Sequence, residues 1–159
     1  MQDECRNIYT NARRTAGLTQ ERWAELLGIS VEAVRLYESG VNMPSDSVVL
    51  RMAEVAGQHI VCYWHLLQKS RVAAGILPEI DEKPLPEAVL DLLVKLRDFA
   101  EDGMQELTRI AADGNVSPDE REVFDYAMRQ LRALVSAGLH MEYARGGGLN
   151  GIHHTTAGG

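Results

Sequence analysis

Gly17-Leu18-Thr19-Gln20 … Leu27-Gly28-Ile29-Ser30 … Val34-Arg35-Leu36-Tyr37-Glu38-Ser39-Gly40 … Pro44 is the stretch that decides the fold of this chain. Thr19 is placed to cap a helix whose opening turn holds Gln20 and Glu21, because a threonine oxygen accepts the free N–H groups of a first turn. Gly28 follows the last apolar residue of that helix, Leu27, at the point where a left-handed backbone ends a helix at little cost. Ser30 then caps a second helix only two residues later. So short a break makes two helices meet steeply and leaves the second as an exposed ridge, the shape that enters a DNA major groove.

Helical periodicity continues on both sides of this stretch. Residues 8–16 repeat Ile8, Ala12 and Ala16 at four-residue steps, and residues 20–27 bring Trp23, Ala24 and Leu27 to one face. Residues 31–39 do the same with Val34 and Tyr37, and residues 45–56 with Val49, Met52, Ala53 and Ala56. A fifth helix is predicted over 60–73, apolar at Ile60, Val61, Tyr63, Trp64, Leu66 and Leu67. Trp23 and Trp64 fall on these inward faces and read as core.

Residues 75–86 hold Gly75, Pro78, Pro84 and Pro86 with Glu79, Asp81 and Glu82 among them, a composition that breaks helices and predicts a linker. Two long helical patterns follow. The first places apolar or small residues at Val89, Leu93, Leu96, Ala100, Gly103, Leu107 and Ile110; the second at Val123, Ala127, Leu131, Leu134, Gly138 and Met141. Between them, Gly114 stops one helix, while Ser117, Pro118 and Glu120 form a capping box that starts the next. The expectation is an antiparallel helical hairpin over 87–145. Leu90, Leu92, Val94, Phe99 and Met104, with Phe124, Leu139 and Tyr143, add apolar surface beyond what one stripe per helix buries, which predicts a homodimer formed by two hairpins; the competing expectation is a hairpin folded back on the apolar fifth helix around Trp64. Residues 146–159, rich in glycine with few apolar side chains, are expected to be a disordered tail.

From about residue 8 to residue 67 the chain resembles the XRE/Cro-type helix-turn-helix family. The resemblance is carried by Arg13, Gly17-Leu18-Thr19-Gln20, Ala24, Leu27-Gly28-Ile29-Ser30, Val34, Tyr37-Glu38-Ser39-Gly40, Pro44, Leu50 and Ala53. It implies an all-α fold: a five-helix DNA-binding domain over 1–74, with residues 30–39 as recognition helix, followed by the linker and the hairpin. It further implies a structural ion pair between Arg13 and Glu38, since an unpartnered buried carboxylate is costly. By the same resemblance Val31, Glu32, Ala33, Arg35 and Leu36 face the bases. Arg35 suits guanine, Glu32 the amino group of cytosine, and Val31 or Ala33 a thymine methyl. Gln20 and the backbone near Ser45 are the expected phosphate contacts.

Composition sets bounds on this reading. Apolar residues make up 45% and charged residues 25%, an ordinary soluble balance. No run approaches the length of a membrane helix and no basic, apolar leader opens the chain, so a cytoplasmic protein with no membrane partner is expected. The net charge of −7 is unfavourable for a DNA binder, but it is unevenly spread. Residues 1–70 carry seven Lys/Arg against eight Asp/Glu, and residues 71–159 nine against fifteen. A near-neutral reading domain searches DNA weakly as a monomer, which again favours a dimer.

No phosphate loop, nucleophile elbow or placed carboxylate pair is found, so no enzyme and no cofactor are expected. Cys5 and Cys62 are too few for a disulfide framework or thiolate metal site, and His59, His65 and His140 are dispersed. His153-His154 sit in the tail, where nothing preorganises a metal. Aligning Gly114 with the central glycine of a calcium loop puts Arg109 and Ala111 where oxygen ligands belong, so the capping reading stands and no metal is expected. The function predicted is sequence-specific binding of double-stranded DNA by a dimeric transcriptional regulator, read as a repressor. The alternative is a protein-interaction adaptor whose helix-turn-helix has lost affinity for DNA.

Overall fold

The computed structural model describes residues 7–112 and 114–145, and the regular structure among them is helical. In chain order it comprises α1 (Ile8–Thr15), α2 (Gln20–Leu27), α3 (Val31–Glu38), α4 (Asp46–Ala56), α5 (Ile60–Lys69), α6 (Arg71–Ile76), α7 (Leu85–Asp98), a π turn (Phe99–Gly103), α8 (Met104–Ile110) and α9 (Arg121–Glu142). Cys5, the expected tail over 146–159 and the paired histidines within it lie outside the described residues. The chain divides into two compact units, one ending at Leu77 and the other beginning at Pro78.

The first unit closes around Trp23, Ala24, Val34, Val49, Met52 and Val61, with Ile8, Tyr9 and Ala12 of α1 laid across them. Trp23 has no exposed surface. Truncating so large a buried side chain costs about 3–5 kcal/mol, so this one residue accounts for much of what a small domain has to spare. Asn7 fixes the entry into α1. Its Oδ1 accepts from the N–H groups of Tyr9 and Thr10 at 3.0 and 3.2 Å, and its Nδ2 donates to the Tyr37 carbonyl at 2.7 Å, tying the start of α1 to the end of α3.

The fifth helix predicted over 60–73 is broken at Ser70. Its backbone is extended (φ −118°, ψ 109°), and its Oγ accepts from the Ala73 N–H at 3.1 Å to begin α6. Serine bonds a nearby N–H as readily as it continues a helix, and here the cap wins. Gly75 and Ile76, expected in the linker, therefore belong to α6.

In the second unit α9 packs along α7, the π turn and α8 as the second arm of a hairpin. The residues expected to begin the linker's far end pack here instead. Ile80 is buried, the Asp81 N–H donates to His140 Nε2 at 3.2 Å, and Lys83 and Leu85 bracket Arg145 through backbone bonds of 2.9 and 3.2 Å. Proline-rich extended chain leaves its backbone groups free, and the end of α9 takes them up.

The inner face of the first arm is shifted from the expected stripe. Gly103 and Ile110 are buried as expected, but before them Ala88 is buried and Leu92 and Phe99 half-buried, while Leu93, Leu96 and Ala100 face outward. The cause is close approach. A Cβ on Gly103 would lie 2.7 Å from Phe99 Cδ2 and 2.8 Å from Gln130 Oε1, so only glycine fits without rearrangement. The Met104 N–H reaches back five residues to the Phe99 carbonyl, and the extra residue of that π turn changes the helix phase. The capping box is also displaced. Glu120 Oε2 accepts from the Ser117 N–H and Oγ–H at 3.1 and 2.7 Å, but Ser117 does not cap in return, and α9 begins only at Arg121.

Candidate nucleic-acid interface

Three local devices set the angle between α2 and α3. Thr19 Oγ1 accepts from the Arg22 N–H at 3.2 Å and Ser30 Oγ from the Ala33 N–H at 3.1 Å, so each helix starts at its expected cap. Gly28 lies in the left-handed region (φ 69°). Its N–H bonds the Glu25 carbonyl at 3.2 Å and that of Ile29 bonds Ala24 at 3.1 Å, the pair of reversed bonds that closes a helix on a glycine. A Cβ there would meet nothing within 4 Å, so it is the backbone conformation, not space, that selects glycine.

The end of α3 is held by charge. Arg13 Nε donates to Glu38 Oε1 at 2.5 Å and Nη2 to Oε2 at 2.9 Å, while Nη1 donates to the Leu18 carbonyl at 2.8 Å. Gln20 Nε2 adds a third donor to the carboxylate, 2.9 Å from Oε2. The two charged side chains are only 12% and 8% exposed. Burial pushes the Glu38 carboxyl up, but the hydrogen bonds from Arg13 and Gln20 and the charge of Arg13 outweigh it and hold Glu38 below the usual carboxylate range. The bond to Glu38 in turn holds the Arg13 guanidinium above its ordinary value. One cluster thus joins α1, the start of α2 and the end of α3.

The residues expected at the bases stand on the outer side of α3 to different degrees. Glu32 and Arg35 are exposed and lie one turn apart, with Oε2 and Nη1 3.6 Å from each other. Val31, Ala33 and Leu36 are half-buried, and Val31 also packs on the core. Ser45 is exposed at the start of α4; its Oγ bonds that of Ser47 at 3.0 Å and caps no backbone N–H. Gln20 is committed through one amide hydrogen to Glu38, which leaves the second for another acceptor.

Behind the exposed start of α4, Asp46, Lys69, His65 and Tyr9 form a connected set that the sequence did not assign to this region. Asp46 follows Ser45, and its Oδ1 accepts from Lys69 Nζ at 2.5 Å and lies 3.1 Å from His65 Nε2. His65 is buried, with Nδ1 2.8 Å from the Tyr9 hydroxyl. The bonds from Lys69, then from His65, hold the Asp46 carboxyl below its usual range. Burial pushes the Tyr9 hydroxyl up. Nothing in the periodicity marks this chain of contacts, since it spans three helices, although an acid beside a serine at a helix start is itself a visible signal.

Residues 11–60 match a family model described as helix-turn-helix. The N-terminal unit is an XRE/Cro-type helix-turn-helix domain. Its α2 and α3 are the two helices of the motif, and the match runs from within α1 to the first residue of α5, so that neither α6 nor the second unit falls inside it. Helix-turn-helix domains of this family belong to DNA-binding regulators and are typically non-enzymatic. No curated protein and no solved structure matches the chain. Among the described residues no helix is long and apolar enough to cross a membrane.

Proposed function

We propose that the protein is a cytoplasmic transcriptional regulator that binds a specific sequence of double-stranded DNA as a homodimer and represses by occupying its site. The observation that carries this reading is the presentation of α3: an exposed ridge with Arg35 at its centre, its far end locked by Glu38 to Arg13 and Gln20. A recognition helix reads bases only when its angle is fixed in advance, because ordering it on binding would cost affinity. In this reading Arg35 pairs with guanine O6 and N7, Glu32 accepts from a cytosine amino group, and Val31, Ala33 and Leu36 offer methyl-sized contacts. Gln20 gives its second amide hydrogen to one phosphate, and the backbone at Ser45 serves another.

The dimer is assigned to the hairpin. Leu90, Leu93, Val94 and Leu96 on α7, Met104 on α8, and Tyr126, Val135 and Met141 on α9 are all exposed. The buried positions of α7 and α9 are small, Ala88, Ala127 and Ala137, and Ile110 is the large one buried on α8. A soluble chain seldom leaves so many large apolar side chains in water, and a second copy laying the same face against them makes a four-helix bundle. Two copies then offer two recognition helices to two half-sites.

Binding of the purified protein to random duplex DNA across a salt series tests the reading. A DNA reader gives a steep linear fall of log K with log salt; a flat response favours an adaptor that contacts protein instead.

A further inference from the structure

Asp46 opens α4 one residue after Ser45, on the turn assigned above to a DNA phosphate. A carboxylate in that place works against the role. At a separation of ~6 Å in water, one added negative charge weakens phosphate binding about threefold. The structure does not leave the carboxylate bare. Both of its partners come from α5: Lys69, whose Nζ donates at 2.5 Å, and His65, whose Nε2 lies 3.1 Å from the same oxygen. His65 is itself fixed from behind, because Nδ1 meets the Tyr9 hydroxyl at 2.8 Å. With that hydroxyl donating to Nδ1, Nε2 carries the hydrogen and donates to Asp46, an assignment that satisfies both ring nitrogens. Two donors on one helix hold a single oxygen, so the carboxylate is drawn toward α5.

We propose that Lys69 is a positioning residue for DNA binding that acts through Asp46. It holds the Asp46 carboxylate against α5, cancels its charge, and so opens the α4 turn to a phosphate without touching DNA itself. The inference rests on the reading of the Ser45 turn as a phosphate contact. It predicts a particular pattern of coupling. A lysine that bound phosphate directly would matter whatever residue stood at position 46. A lysine that cancels Asp46 is compensated when the carboxylate is removed with it, because the ion pair and its neutral replacement carry the same net charge.

The test is the affinity of the full-length protein for a random-sequence duplex at low salt, measured for wild type, Lys69→Met, Asp46→Asn and the double variant. Lys69→Met is expected to lower affinity about threefold, and the double variant, in which neither charge remains, to bind as wild type does. Asp46→Asn alone is expected to bind at least as tightly as wild type, and Lys69→Arg to keep wild-type affinity. Positions 46 and 69 are both exposed, so the thermal midpoints should stay together. A double variant that binds as weakly as Lys69→Met overturns the proposal in favour of direct phosphate contact, and no loss from Lys69→Met overturns it outright. A wild-type protein that shows no salt-dependent DNA binding sinks the DNA reading itself, an outcome visible before any variant is compared.

Discussion

Arg13 of α1 and Glu38 at the end of α3 meet fork to fork, Nε to Oε1 at 2.5 Å and Nη2 to Oε2 at 2.9 Å. They come from positions 25 residues apart, and neither keeps more than an eighth of its side chain in solvent. The geometry satisfies both carboxylate oxygens, and Gln20 adds a third donor from the start of α2. A bidentate pair of this kind fixes direction as well as distance, which is what a helix aimed at a groove needs.

Removing one partner leaves the other buried and uncompensated. Glu38→Ala is expected to destabilise the helix-turn-helix domain by about 3 kcal/mol, read from urea unfolding followed by tryptophan fluorescence. A midpoint equal to wild type contradicts the structural role given to the pair.

The same pair sets a pH dependence. Glu38 ionises below the ordinary carboxylate value of 4.5 when folded, so its stabilising contribution is present above the unfolded value and is lost as pH falls through the folded one. The stability gap between wild type and Glu38→Gln should therefore be constant at neutral pH and narrow on acidification below 4.5. A gap that widens with acid has the wrong sign for this account.

How much of this was legible in the sequence depended on whether the signal was local. Thr19, Gly28 and Ser30 announce their roles because caps and left-handed turns are decided within four residues, and the structure places each at its expected cap. The Arg13–Glu38 contact followed from family resemblance rather than from spacing. The inner face of α7 was not legible. Ala88, Val89, Leu90, Leu92, Leu93, Val94 and Leu96 are apolar nearly all round, so periodicity assigns no phase, and the close approach at Gly103 and the π turn settle it. The Tyr9–His65–Asp46 connection was hidden for a related reason, since its members are distant in sequence and only packing brings them together.

Gly103→Ala tests that packing. The added methyl meets the Phe99 ring on its own helix and Gln130 on α9, and overpacking of this kind costs about 1–3 kcal/mol. The loss should appear in the unfolding of the second unit, measured by hydrogen exchange of α9 amides, with exchange in α2 unchanged. Equal exchange of α9 in both proteins would show that the close approach carries no weight.

On the recognition helix, Arg35→Ala should cost about 1–3 kcal/mol at a preferred site and relax preference at one base pair. Glu32→Gln frees Arg35 from its neighbour 3.6 Å away and should raise affinity for random duplexes. Gln20→Ala should weaken all sequences alike. Competition binding with single-base variants of the site separates the three.

The hairpin face is tested on the full chain by Leu90→Glu with Leu93→Glu, two exposed positions at which a charge meets solvent within one chain. Sedimentation at micromolar concentration should show a dimer for wild type and a monomer for the double variant. A wild-type monomer ends the hairpin-dimer reading.

Sequence-specific DNA binding is measured by selecting bound duplexes from a random pool with the purified protein. One sequence is expected to be enriched, in two symmetric half-sites about one helical turn apart, with a guanine in each half whose preference is lost in Arg35→Ala. A pool that stays random through successive rounds, with binding indifferent to salt and to Arg35, contradicts sequence-specific binding.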